Sequence, residues 1–139
     1  MRHYRAELTL TVKGVFTEWP KFISEAFLGD RLEKYGSFNG TIEQLGKTKY
    51  SVRFSDSPYC DGYEIESYCK KLADMLPDCA YSLCGTIYNE GTAGDYKDEL
   101  RAAYSEGVLK FKYYSGYERK INTRRPTYSN ETVIRVKLV

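Results

Sequence analysis

The sequence predicts an α+β fold, with one antiparallel sheet, two helices on one face of it, and extra strands at the C-terminal end. Three observations predict it. Several separate stretches alternate apolar and polar residues, the period of a half-buried strand. Two others repeat apolar residues at helical spacing. Their order along the chain is strand, helix, strand, strand, helix, strand, which is the order of a split β-α-β, ferredoxin-like sheet. At 139 residues the chain is long enough to bury one core, so a single domain over 1–139 is expected.

Tyr4, Ala6, Leu8, Leu10 and Val12 alternate with Arg5, Glu7, Thr9 and Thr11, the clearest strand signal in the chain. Thr17 is placed to cap a helix over 18–35, in which Trp19, Phe22, Ile23, Ala26 and Phe27 recur at helical spacing and Gly36 marks the stop. Alternating runs on either side of Gly46, from Phe38 to Phe54, predict a hairpin. Asp61 and Glu64 have capping-box spacing ahead of Ile65, Tyr68, Cys69, Leu72 and Leu76, and Pro77 ends this second helix. Tyr81, Leu83, Gly85 and Ile87 predict a fourth strand. The turn-rich stretch Asn89–Asp95 predicts a mobile loop. Residues 96–104 suit either a helix or a strand. The strand is preferred, because the turn at Gly107 and the run Leu109, Phe111, Tyr113 supply a partner. The polar stretch 115–131, with Pro126, predicts a loop before a last strand at Ile134, Val136 and Leu138. Gly40-Thr41-Ile42 and Gly85-Thr86-Ile87 repeat one tripeptide after each helix.

Composition narrows the class. Apolar residues make up 42% and charged residues 29%, with 11 Gly and 4 Pro, which excludes disordered and collagen-like chains. Tyrosine is the unusual count, 14 against 6 Phe and 1 Trp. There is no apolar run approaching the roughly 20 residues of a membrane span, and no leader-like apolar stretch follows Met1. A soluble cytoplasmic protein with no membrane partner is expected. In that compartment Cys60, Cys69, Cys79 and Cys84 are expected as reduced thiols.

The net charge of +2 hides an uneven distribution. Residues 1–53 carry nine bases and six acids, 54–107 four and eleven, and 108–139 eight and two. Such a chain can present faces of opposite sign. His3 is the only histidine, so a two-histidine metal site is excluded within one chain and a catalytic triad has one imidazole to run through. The cysteines lack zinc-ligand spacing. Glu90, Asp95, Asp98 and Glu99 gather carboxylates around the predicted loop without cation-loop spacing. Their expected roles are, in order, a solvated loop, contact with a basic partner, and a metal-dependent site. Lys110, Lys112, Tyr113, Tyr114, Tyr117, Arg119, Arg124 and Arg125 interleave cations with rings. Single-stranded nucleic-acid binders use that mixture for phosphate contact and stacking, and protein interfaces are enriched in the same residue types. No catalytic motif or cofactor-binding motif occurs, so no cofactor is expected.

The stretch Cys84-Gly85-Thr86-Ile87-Tyr88-Asn89-Glu90-Gly91, then Gly94-Asp95-Tyr96 and Glu106-Gly107-Val108, resembles the strand, Glu-Gly loop and hairpin of small ferredoxin-like accessory proteins of phages and plasmids. The resemblance implies a mobile-element protein without catalytic residues, of the kind that includes anti-CRISPR inhibitors of host defence. The expected function is therefore a non-enzymatic protein that binds and blocks a host protein, such as a nucleic-acid-processing defence complex. Glu90, Asp95, Asp98, Glu99, Tyr113, Tyr114, Tyr117, Arg119, Arg124 and Arg125 are the expected contacts. The alternative is a small single-stranded nucleic-acid binder using Lys110, Lys112, Tyr113, Tyr114, Arg119, Arg124 and Arg125.

Overall fold

The alternating stretches assemble into a seven-stranded, wholly antiparallel sheet. The computed structural model describes residues 3–14, 16–29, 39–57, 62–91, 94–118 and 128–135. The strands are β1 (His3–Val12), β2 (Asn39–Gln44), β3 (Lys49–Ser57), β4 (Tyr81–Gly91), β5 (Gly94–Ser105), β6 (Val108–Glu118) and β7 (Tyr128–Arg135). Their spatial order is β2-β3-β1-β4-β5-β6-β7. Two helices, α1 (Trp19–Ser24) and α2 (Gly62–Met75), complete the α+β fold.

The even-numbered residues of β1 set the inner face. Ala6, Leu8, Leu10 and Val12 are buried, while Arg5, Glu7 and Thr11 are exposed. Register carries this division across the sheet. Leu8 stands opposite Val52 on one side and Gly85 on the other, and Leu10 opposite Tyr50 and Leu83. Further out, Leu83 meets Ala102, which meets Phe111.

Helix α1 begins at Trp19 with Pro20 in its first turn, where a missing N–H costs nothing. Thr17 does not cap it: Glu18 occupies the cap position and no side chain bonds the helix N-terminus. After Ser24 the chain continues as a π-helical turn, Glu25–Gly29, and the remainder of the predicted helix falls outside the described residues. Phe27 still reaches the core, its ring 5.5 Å from Tyr68 and 6.4 Å from Phe54. In α2 the buried Ile65, Tyr68, Cys69 and Leu72 follow the predicted spacing, and the amide of Leu76 closes the last turn on the Leu72 carbonyl just before Pro77. Buried residues of both helices belong to one cluster with the inner residues of β1, β3, β4, β5 and β6.

Part of the tyrosine excess is core construction. Tyr50, Tyr81 and Tyr104 are buried rings, and a buried phenol needs a partner for its hydroxyl. Tyr81 donates to the carbonyl of Cys69 and Tyr104 to that of Pro77, both at 2.6 Å, which ties β4 and β5 to α2 and the turn after it.

Two expectations are corrected. Residues 89–91 and 94–95 are strand, with Gly91 opposite Gly94, so the turn-rich stretch is the closed end of the β4–β5 hairpin. Pairing between long neighbouring strands outweighs the local turn propensity there. Likewise 115–118 extend β6 and 128–131 begin β7 in place of the predicted loop, and 119–127 lie outside the described residues. Residues 96–104 are strand, as preferred.

Candidate functional site

The odd-numbered positions of β1 and their partners form the other face of the sheet. Glu7, Thr11, Ser82, Cys84, Glu99, Arg101, Ala103, Lys110 and Lys112 on it are all exposed. Across the middle of this outer face, register aligns Ser51, Thr9, Cys84, Arg101, Lys112 and Glu131 in one row. The next row toward the β4–β5 hairpin runs Arg53, Glu7, Thr86, Glu99 and Tyr114. The row beyond it runs Arg5, Tyr88 and Lys97. Between Glu7, Glu99 and Arg101 the outer positions of β1, β4 and β5 are short, Thr9, Thr11, Ser82, Cys84, Thr86 and Ala103, because a pleated strand presents every second residue.

The charge of this face is positive. β1 and β3 present Arg5, Lys49 and Arg53, and β5, β6 and β7 present Lys97, Arg101, Lys110, Lys112 and Arg135. The carboxylates at outer-face register positions are Glu7, Glu43, Glu90, Asp95, Glu99 and Glu131, so among the described residues eight cations meet six anions. Arg101 and Lys112 stand directly opposite one another, and Lys110 follows one residue pair along β6. Like charges so placed repel, and an anionic ligand relieves the repulsion.

The expected contact residues divide between the two faces. Asp98 is on the inner face, 2% exposed, where it accepts a hydrogen bond of 2.5 Å from the Tyr113 hydroxyl. Glu99 and Tyr114 are opposite one another on the outer face. Glu90 and Asp95 are cross-strand partners in the β4–β5 register, and Tyr117 is opposite Lys97 in that of β5 and β6. Arg119, Arg124 and Arg125 lie outside the described residues. Lys110, Lys112 and Tyr114 are thus brought together on the outer face, joined by Arg101, Lys97, Arg5 and Tyr88, which sequence reasoning did not single out. Pairing of strands distant in the chain assembles that group. A period-two reading of β4 and β5 would have put Tyr88 and Arg101 outward, but not beside their neighbours.

Thiols occur on both sides of the sheet. Cys84 is exposed in the central row, Cys79 is half-buried after α2, and Cys69 is buried in α2; all three are free. Burial pushes the Cys69 thiol up to about 12, opposed by its contact with Tyr81. Cys60 lies outside the described residues. Among the described residues, no three His, Cys, Asp or Glu side chains gather to hold a metal ion, and no helix is long and apolar enough to cross a membrane. No protein-family model matches the chain, and neither a curated protein nor a solved structure was found to be similar to it.

Proposed function

We propose that the protein is a non-enzymatic binding protein that holds single-stranded nucleic acid on the outer face of its sheet. The observation that carries this reading is the outer face itself, with eight cations, Arg101 and Lys112 directly opposed among them, against six carboxylates among the described residues. An open, net positive sheet surface suits an extended polyanion whose bases are free to lie on it. A duplex fits poorly: its major groove admits a helix or a two-stranded ribbon, and a sheet seven strands wide does not enter it.

The fold is read as ferredoxin-like over its first four strands. The order β2-β3-β1-β4 is the one a split β-α-β arrangement requires, and the shared cluster of α1 and α2 supports two helices on the inner face. Strands β5–β7 are then the C-terminal extension. The host-protein reading, a phage or plasmid inhibitor of a defence complex, draws less support from the geometry, because Asp98 and Tyr113 are turned inward and bonded to each other.

The test is a titration of a labelled, mixed-sequence single-stranded DNA 20-mer across a salt series. The logarithm of affinity is expected to fall linearly with that of salt, by roughly 0.7 per neutralised phosphate. Arg101→Glu with Lys112→Glu is expected to weaken every sequence alike and to flatten that slope. Absence of binding at low salt, or binding unaffected by the double reversal, overturns the proposal. Capture of a protein from nuclease-treated bacterial lysate that is lost in the same variant would favour the host-protein reading.

A further inference from the structure

The row of Arg5, Tyr88 and Lys97, followed toward the end of the β4–β5 hairpin by the row of His3, Glu90 and Asp95, differs from the rest of the outer face. Elsewhere the face carries short side chains, charges and the Tyr114 ring opposite Glu99. Here the Arg5 guanidinium carbon lies 4.3 Å from the centroid of the Tyr88 ring. Arg5 and Tyr88 are direct partners in the β1–β4 register, and Lys97 is the partner of Tyr88 on its other side. The ring is half-buried and the arginine exposed, so the pair is open to solvent on its arginine side.

We propose that Arg5 stacked on Tyr88 is a seat for one nucleobase; this deepens, and rests on, the nucleic-acid reading above. Nucleobases stack on aromatic rings and on guanidinium planes alike, and a guanidinium held over a ring offers its free face with the orientation already set. Preorganisation matters because a lone surface arginine would lose side-chain freedom on binding, whereas one held on a ring has lost part of it beforehand. The seated base has cations around it. Arg5 brings its own charge to the seat, and exposed Lys97, the register partner of Tyr88 on β5, supplies a second cation for a phosphate. Stacking of this kind is tolerant of sequence, since every base has a π face. The seat therefore adds affinity without base preference, and it acts apart from the phosphate contacts of Arg101 and Lys112 two rows away and Lys110 three rows away.

Arg5→Lys separates the two contributions, because lysine keeps the charge and lacks the plane. The probe is a single-stranded DNA 20-mer carrying 2-aminopurine at every third position. With the unaltered protein, and with Tyr88→Phe, binding is expected to quench the 2-aminopurine fluorescence. With Arg5→Lys and with Tyr88→Leu the quench is expected to be lost, and affinity to fall by about 5- to 140-fold, the range for one stacked base, at an unchanged salt slope. If Arg5→Lys and Tyr88→Leu bind and quench like the unaltered protein while the Arg101→Glu, Lys112→Glu variant fails to bind, the face is right and the seat is wrong. If the unaltered protein does not bind the probe at low salt, both fall. Should Tyr88→Leu lose its fold by circular dichroism, the Arg5→Lys result decides alone.

Discussion

Gly85 is the residue at which β1 and β4 approach most demandingly. It stands between Leu8 and Leu100, and a Cβ built on it would overlap the Glu7 carbonyl oxygen and lie 2.8 Å from the Leu8 Cα. Both are backbone atoms of the central strand, so the clash cannot be relieved by a rotamer change. Gly85→Ala is expected to lower stability by about 1–3 kcal/mol, measured as a reduced urea midpoint. Cys69 gives a pH-dependent prediction. Its thiol, wholly enclosed, is held up to about 12 by burial, while in the unfolded chain it ionises near 9. The unfolded state therefore releases a proton first as pH rises. Stability is complete below pH 9 and falls between 9 and 12, by about 1.4 kcal/mol per pH unit for this one group. Burial also raises Tyr81, which adds to the fall above pH 10. Urea midpoints from pH 8 to 11 are expected to decline less steeply in Cys69→Ala. A variant with the parent's slope would remove Cys69 from the account.

Among the elements, the β5–β6 hairpin shows best what local sequence can decide. Ser105 pairs with Val108, and the two residues between them, Glu106 and Gly107, have φ of 50° and 78°. Two left-handed residues in a two-residue loop define the type I′ turn, for which Asn-Gly is the preferred pair. Glu106→Asn is expected to raise the melting temperature, and Gly107→Ala to lower stability by about 1–2 kcal/mol, the cost of a Cβ in the left-handed region. Gly107 was legible in the sequence because a glycine between two apolar runs is a turn signal, and this turn decided the strand over the helix for 96–104. Helical spacing likewise located α2 from Ile65 to Leu72. The acidic stretch was misread for a physical reason. Asn89, Gly91 and Gly94 have high turn propensity, but the pairing of β4 with β5 holds this stretch in strand as far as Gly91 and Gly94. Asp98 and Tyr113, expected as contacts, are instead inward and bonded to each other, and their meeting depends on the β5–β6 register, which shifts between Lys97 and Glu99.

Across the whole molecule, charge sorts by face more than by chain third. The acidic middle of the sequence contributes Lys97 and Arg101 to the outer face along with Glu90, Asp95 and Glu99, while its Asp98 is inside. The basic C-terminal third contributes Lys110, Lys112 and Arg135 to that face. The outer face is therefore a property of the assembled sheet, and Cys84 lies at its centre, in the row of Arg101 and Lys112. That thiol reports occupancy. In a Cys60→Ser, Cys79→Ser variant the remaining thiols are Cys84, exposed, and Cys69, buried with its ionisation held up to about 12, so at pH 8 a thiol reagent reads Cys84 alone. The decisive measurement is its labelling rate with and without saturating single-stranded DNA. The open-face account predicts that the rate falls in proportion to bound DNA and recovers as salt releases the strand. An unchanged rate with the DNA fully bound would place the ligand elsewhere on the molecule and contradict it.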